Sequence, residues 1–472
     1  MREKIIGRKT EQEIFEKLYL SDKSEFVAVY GRRRVGKTFI IKEFFEDKLL
    51  FSVSGLANEK TAKQLENFHL TLLRHDSTLL NGPTDWLKAF EMLMSLVERS
   101  SAKRKVILLD ELPWMDTPKS GFISALEHFW NDFASSRHDV LLIVCGSATS
   151  WMMNKLINNH GGLHNRLTSH IHLKPFTLKE TEQMLESRGF NLSRYEIAVC
   201  YMVLGGVPFY LDMLDSEYSL TQNIDNLLFS AGGRLSNEIN NLYASLFKNS
   251  ADYVKVVKML SEHKSGLNRT EIQAKSGIST GGTLTTILDN LCSCGFLRKY
   301  EACNNGKKER LYQLVDFYTL FYFYFADAIK GHKKNFWERF QTKPAFYTWA
   351  GLSFERLAFE HVDLIKQALG ISGILSTEYP CRTTGADSKN SQIDMVIDRS
   401  DNVVNLCEIK FYTKPFAIDR KYDVVLRERT QTLIENIQRK KTVHLTFIAA
   451  YGLAQNEYSG QVQNVVTLDD LF

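Results

Sequence analysis

Gly31-Arg32-Arg33-Arg34-Val35-Gly36-Lys37-Thr38 follows directly on the apolar run Phe26-Val27-Ala28-Val29-Tyr30, and it decides how the chain is read. The stretch fits G-x-x-x-x-G-K-[ST]. Its glycines let the backbone curl until successive N–H groups point at phosphate oxygens. Lys37 supplies a point charge for the β- and γ-phosphates, and the Thr38 hydroxyl takes a position on Mg²⁺. The apolar run reads as a buried strand, and a helical pattern from 37 to about 45 adds the positive end of its dipole. Such a match arises by chance in on the order of 1–2% of chains this long. Chance does not also supply the strand before it and the helix after it.

Outward from the loop, Val106-Ile107-Leu108-Leu109 runs into Asp110-Glu111. A buried strand here carries Asp110 to the Mg²⁺ shell and sets Glu111 to polarise an attacking water. Cys145-Gly146-Ser147 ends a further apolar run. Ser147 either senses the γ-phosphate or simply closes a strand with a polar residue, and the sequence leaves both readings open. Apolar runs near 49–53, 106–109 and 140–144 alternate with helical patterns, two of them amphipathic between 61 and 99. That alternation predicts a parallel α/β sheet with its ligand at the carboxyl ends of the strands.

The chain has 472 residues, enough for about three domains of ~150 residues. Hydrophobic residues make up 44% and charged residues 24%, with 8 Pro and 27 Gly, which excludes long disordered tracts. A net charge of +4 permits contact with nucleic acid without arguing for it. The seven cysteines form no Cys-x-x-Cys pair, so neither a zinc site nor a disulfide framework is expected. No signal peptide is read at the N-terminus. The aromatic stretch from 317 to 325 falls far short of the ~20 residues a spanning helix needs. A buried core helix, no membrane and a cytoplasmic location are the expectations.

After about Pro175 the strand signal gives way to helices up to residue 248. Residues 252–315 then read as three helices and a hairpin around Asn305-Gly306, a winged helix-turn-helix. Its third helix, roughly 280–291, carries Asp289 and no Lys or Arg, so specific base reading is not expected of it. The positive charge lies at the wing (Lys307, Lys308, Arg310) and in Lys330, Lys333, Lys334 and Arg339. DNA contact by the wing and a protein-contact role both remain open.

From Gly351 the order becomes αβββαβ. Asp394 lies in Gln392-Ile393-Asp394-Met395-Val396, and Glu408 and Lys410 in Leu406-Cys407-Glu408-Ile409-Lys410-Phe411. Residues i and i+2 of a strand share a face, and pairing across 399–402 brings Asp394 near Glu408. Those two carboxylates are expected to hold Mg²⁺, with Lys410 orienting or deprotonating a water and Glu355 as an additional ligand. This is the PD-(D/E)XK nuclease arrangement, and the element order resembles that restriction-endonuclease-like fold. Charges inside an apolar strand need compensation, by metal or by ion pairing.

The chain as a whole resembles the archaeal-type AAA+ P-loop ATPases, in the branch close to STAND NTPases. The resemblance is carried by Ile6-Gly7-Arg8 with Glu11, the phosphate loop, Leu108-Leu109-Asp110-Glu111 and Asn165-Arg166 ahead of Leu173-Lys174-Pro175-Phe176. Gly205-Gly206-Val207-Pro208 and Asp316-Phe317-Tyr318 match as well. It implies ATP hydrolysis, Gly7 and Arg8 near the adenine, and Arg166 as an arginine finger or sensor. It also implies a helical lid and a nuclease-like C-terminus. The expected domains are 1–175 (ATPase core), 176–248 (lid), 249–316 (winged helix), 317–350 (connector) and 351–472 (nuclease-like). Two functions fit these expectations. One is an ATP-controlled enzyme that binds or cuts DNA. The other is a STAND-like switch that binds a protein partner through an inactive nuclease fold.

Overall fold

The computed structural model describes residues 5–77, 81–147, 150–157, 165–247, 249–278, 282–304, 307–384, 390–437 and 441–472. The expected hairpin turn Asn305-Gly306 lies outside them, as do the start of the third helix of the winged-helix segment and the side chains of Lys307 and Lys308. The chain divides into two compact units, Met1–Pro175 with Ser293–Gly295, and Phe176–Cys292 with Phe296–Phe472.

The first unit is built on strands β1 (Glu25–Gly31), β2 (Leu49–Ser54), β3 (Lys105–Asp110), β4 (Val140–Ser147) and β5 (Ser169–Leu173). They form one sheet of order β2-β3-β4-β1-β5, parallel throughout. The central runs are buried on both faces, which is why they read as continuous apolar stretches rather than alternating ones. Alternation still sorts their side chains. Phe26 and Ala28 face a core with Trp86, Phe90 and Leu93. Val27 and Val29 face the opposite core with Phe15, Ile41 and Phe45. The helix Trp86–Arg99 starts where Asp85 accepts a hydrogen bond from Lys88 N at 2.9 Å. Strand β5 was not anticipated. It has only five residues, and its exposed His170 and its His172 break any apolar run. His172 instead stacks on Tyr30, with ring centroids 4.9 Å apart.

The second unit opens with the helices Leu178–Ser187 and Arg194–Leu204, each begun by a capping box, Thr177 with Glu180 and Ser193 with Glu196. Gly205 ends the second of them at φ 71°. The helices Ser250–Ser261, Arg269–Ser276 and Gly282–Ser293 follow. Strands β6 (Leu267–Asn268), β7 (Leu297–Asn304) and β8 (Lys307–Leu314) belong to the same segment. Later come β9 (Ser376–Thr384), β10 (Asn390–Arg399), β11 (Val403–Lys410), β12 (Thr442–Ala449) and β13 (Asn464–Thr467).

All eight strands join in one sheet of order β13-β12-β11-β10-β9-β7-β8-β6. A single parallel register, Cys303↔Cys381, connects the hairpin to the C-terminal strands. Residues 176–292 and 296–472 therefore lie in one unit. The helix Arg420–Asn436 covers one face, with Leu426 and Leu433 packed on Val396, Val404 and Leu406.

The single helix that opens the expected αβββαβ order is two in the structure, Pro344–Glu360 and Val362–Ala368. The break falls at His361. Its Nε2 accepts from Leu178 N at 3.1 Å, and its Nδ1 sits 3.0 Å from Leu357 O, which sets Nδ1 as the protonated nitrogen. The aromatic helix Phe317–Tyr324 is capped by Asp316 and largely buried. No helix among the described residues is long and apolar enough to cross a membrane.

Candidate functional sites

In the first unit every strand of the sheet runs the same way, so Gly31, Ser54, Asp110 and Ser147 all end up at one edge. Gly31 pairs with Ser147 on one side and Leu173 on the other, and Ser54 pairs with Asp110. The loop leaves this edge through three unusual backbone positions, Gly31 at φ 154°, Arg34 at φ 73° and Gly36 at φ 89°. A Cβ at Gly31 would lie 2.2 Å from Leu173 O, so the close approach to β5 requires glycine. Val35 is 1% exposed and anchors the loop in the core. Arg32 is buried and Arg33 exposed.

Lys37, the first residue of the helix Lys37–Phe45, is buried and folds across the loop. Its Nζ donates to Gly31 O at 3.1 Å and Arg32 O at 2.9 Å. Asp110 Oδ2 accepts from Thr38 Oγ1 at 3.0 Å and from Ser54 Oγ at 3.1 Å. Its Oδ1 is buried and accepts no hydrogen bond from the described residues. Glu111 stands in the left-handed region at φ 47°, which turns it out of the strand direction. Burial raises its carboxyl above the ordinary value; Lys37 opposes that shift, Asp110 adds to it, and Arg33 opposes it too. Arg8, which also has a left-handed backbone, donates Nη2 to Val35 O at 3.2 Å and so touches the loop, while Gly7 O accepts from Gln12 Nε2.

The structure thus gathers Arg8, the loop, Asp110, Glu111 and Ser147 on one edge. Arg166 is not among them. It precedes Ser169, which pairs with Val27, whereas the loop starts opposite Leu173. Arg166 is exposed and lies toward the other edge of the sheet. Ser54 was missed because a lone serine ending an apolar strand carries no signal until the register sets it beside Asp110.

The second cluster lies in the second unit. The register Met395↔Cys407 sets Asp394 and Glu408 next along, as expected. Glu408 is fully buried and already crowded with donors. Arg429 Nη1 reaches Oε1 at 2.5 Å; Tyr422 Oη and Lys410 Nζ reach Oε2 at 2.6 Å and 3.4 Å. Tyr422, Leu426, Arg429 and Leu433 share one face of their helix, so the packing that buries the leucines delivers these two donors. Asp394 Oδ2 accepts from Ile409 N at 3.1 Å. Lys264 Nζ lies 2.7 Å from Glu355 Oε1 and 3.8 Å from Asp394 Oδ1.

Three carboxylates, Glu355, Asp394 and Glu408, are therefore matched by three cations, Lys264, Lys410 and Arg429. Burial first, then Asp394, pushes the Glu355 carboxyl up to about 7 against the pull of Lys264. Burial and then Glu408 raise Asp394. For Lys410, burial works downward, but Glu408, Tyr422 and Asp394 outweigh it and hold the ammonium above its ordinary value.

Of the two compensations expected for the charges of Asp394 and Glu408, metal or ion pairing, the arrangement displays ion pairing. Ion pairing compensates the charges, every Glu408 oxygen has a donor, and no group of three or more metal-ligating side chains stands out among the described residues. Glu355, expected as an additional ligand, pairs with Lys264. The partners Lys264, Tyr422 and Arg429 lay unread because they come from elements remote in sequence.

A parallel sheet whose carboxyl edge carries a curled glycine loop, a buried lysine and an Asp-Glu pair defines a P-loop nucleoside triphosphatase. Residues 6–214 match the model of a family described as an ATPase domain predominantly from Archaea. A Walker-type ATPase of Pyrococcus abyssi has a similar fold, with a TM-score of 0.50 at 15% identity, covering 68% of this chain and 96% of that one. An uncharacterized protein of Methanocaldococcus jannaschii is 23% identical over 358 residues, 75% of this chain and 76% of its own length. An uncharacterized ATP-binding protein of the same organism is 46% identical over 43 residues, 9% of this chain and 73% of that protein. Over residues 6–214 the chain is thus similar to an ATPase domain found predominantly in Archaea, and the protein is an ATPase.

Proposed function

We propose that the first unit binds ATP with Mg²⁺ on the loop 31–38 and hydrolyses it, and that the nucleotide state governs how the second unit grips nucleic acid. The observation that carries the ATPase half is the convergence of Lys37, Thr38, Asp110 and Glu111 on one strand edge. Lys37 already spans the loop carbonyls, and its ammonium is placed to pass from them to the β- and γ-phosphates. Thr38 and Asp110 fit Mg²⁺, since a hydroxyl adjoins a carboxylate with one oxygen still unbonded. The ion, when bound, neutralises charge building on the phosphates. Ser54 positions Asp110, Glu111 orients the attacking water and accepts its proton, and Arg8 and Gly7 hold the loop from the nucleoside side. Ser147, beside Gly31, is placed to report on the γ-phosphate. Arg166 is suited to act on a neighbouring copy's nucleotide rather than its own.

Lys37→Ala is expected to abolish nucleotide binding, while Glu111→Gln keeps binding and slows turnover at least a hundred-fold. Equal turnover in wild type and Glu111→Gln, measured by phosphate release, would show that another group handles the water.

For the second unit, the winged-helix segment and the C-terminal strands support gripping rather than cutting. The closed ion network offers no carboxylate of Glu408 to a metal. Basic side chains at Arg310, Lys330, Lys333 and Lys334 are exposed and suit phosphates. Plasmid incubated with Mg²⁺ and ATP is expected to stay intact. Nicking that Glu408→Ala and Lys410→Ala both abolish would restore the nuclease reading. A switch acting on a protein partner is favoured by the acidic, Lys- and Arg-free helix Gly282–Ser293.

A further inference from the structure

Strands β11 and β12 are parallel, with Lys410 opposite Ala449, so the segments that follow them leave the sheet side by side. Both carry aromatic residues at once, Phe411 and Tyr412 after the first and Tyr451 after the second. Tyr195 stacks on Phe411 at 4.5 Å and 14°, and on Tyr451 at 6.0 Å and 26°. Tyr347 stacks on Tyr412 at 6.0 Å and 18°.

This rim has not closed into a core. Tyr347, Tyr412 and Tyr451 are 39%, 42% and 48% exposed, and Tyr195 Oη is buried with no hydrogen-bond partner among the described residues. The same loop carries Lys414 and leads to Arg420 and Lys421, all exposed, with Asp419 the one acidic residue among them. Flat faces at the carboxyl ends of parallel strands, with cations on the loop between them, suit a ligand that is itself flat and strung on anions.

We infer that the tyrosine rim of Tyr347, Tyr412 and Tyr451 is a stacking platform for the unpaired bases of a single-stranded nucleic acid. The inference rests on the nucleic-acid reading of the second unit and gives it a substrate class. In a duplex each base hides its faces against its neighbours, so only a single strand can lay them on exposed rings. The rings of Tyr347 and Tyr412 are roughly parallel with centroids 6.0 Å apart, slightly less than the ~6.8 Å needed to sandwich one base at ~3.4 Å on each side. Bases therefore lie on the outer faces, while Lys414 and Arg420 follow the phosphates.

The test uses the full-length chain and fluorescence anisotropy with a labelled oligothymidylate of about 20 nucleotides, long enough for one such site. A duplex of the same length is the comparison. Wild type is expected to bind the single strand more tightly than the duplex. Tyr412→Ala and Tyr451→Ala should each weaken single-strand binding about ten-fold with duplex binding and ATP turnover unchanged, and Tyr412→Phe should bind as wild type. If wild type binds the single strand but neither alanine variant weakens it, the platform is wrong and the nucleic-acid reading survives. Duplex binding equal to or tighter than single-strand binding overturns the platform as well. If wild type binds neither, both readings fall and the rim belongs to a protein partner.

Discussion

At Gly31 the sheet and the loop make opposite demands on one residue. The position must pair in β1, pass within contact of Leu173 and begin the curl that turns amides inward. Gly31→Ala would push a methyl group to 2.2 Å from a backbone oxygen. It is expected to cost about 2–3 kcal/mol of stability and to weaken ATP binding with it, which urea unfolding and calorimetry can read separately. Lys264 illustrates a different dependence. Removing its ammonium leaves Glu355 and Asp394 facing each other in a buried setting. Because the lysine is 30% exposed, Lys264→Ala should fall at the low end for a broken buried pair, about 3 kcal/mol. The double variant Lys264→Ala/Glu355→Gln should recover most of that loss. Equal stability of wild type and Lys264→Ala would show that water, not lysine, balances the cluster. The loop residues and the Asp-Glu pair were legible because each sits in a contiguous motif. Ser54, Lys264 and Arg429 were not, because only register and packing bring them to their partners.

Among the elements, the central strands were legible because burial on both faces leaves a continuous apolar run. Strands β5 and β13 were not; each has five residues or fewer and a polar face. The join between β7 and β9 was also beyond the sequence, since one backbone register at Cys303↔Cys381 leaves no pattern in side chains. The break at His361 is an element-scale feature with a pH signature. Burial, partly offset by the hydrogen bond to Leu357, lowers its pKa from 6.5 to about 4. The folded state therefore holds a neutral ring where the unfolded chain would take up a proton. Stability from this group is complete above pH 6.5 and is lost as pH falls toward 4, by about 3 kcal/mol in all. His361→Gln can keep both hydrogen bonds without titrating. It should flatten the difference in unfolding free energy between pH 7 and pH 4.5 by about that amount; identical pH dependence in both proteins would place the effect elsewhere.

On the scale of the whole molecule, two units with separate cores imply two unfolding events. A ligand of the first unit should raise only the transition belonging to that unit. ATP at about a hundred times its dissociation constant adds about 2.7 kcal/mol to the unit that binds it. Scanning calorimetry with and without nucleotide should therefore move one transition and leave the other in place. A uniform shift of both would mean that the units unfold as one. The central claim is that the loop from Gly31 to Thr38 holds the nucleotide. Titration calorimetry of ATP with Mg²⁺ into wild type and Lys37→Ala tests it most directly. Saturable binding to wild type and none to the variant is the expected result, and indistinguishable isotherms for the two proteins would contradict it.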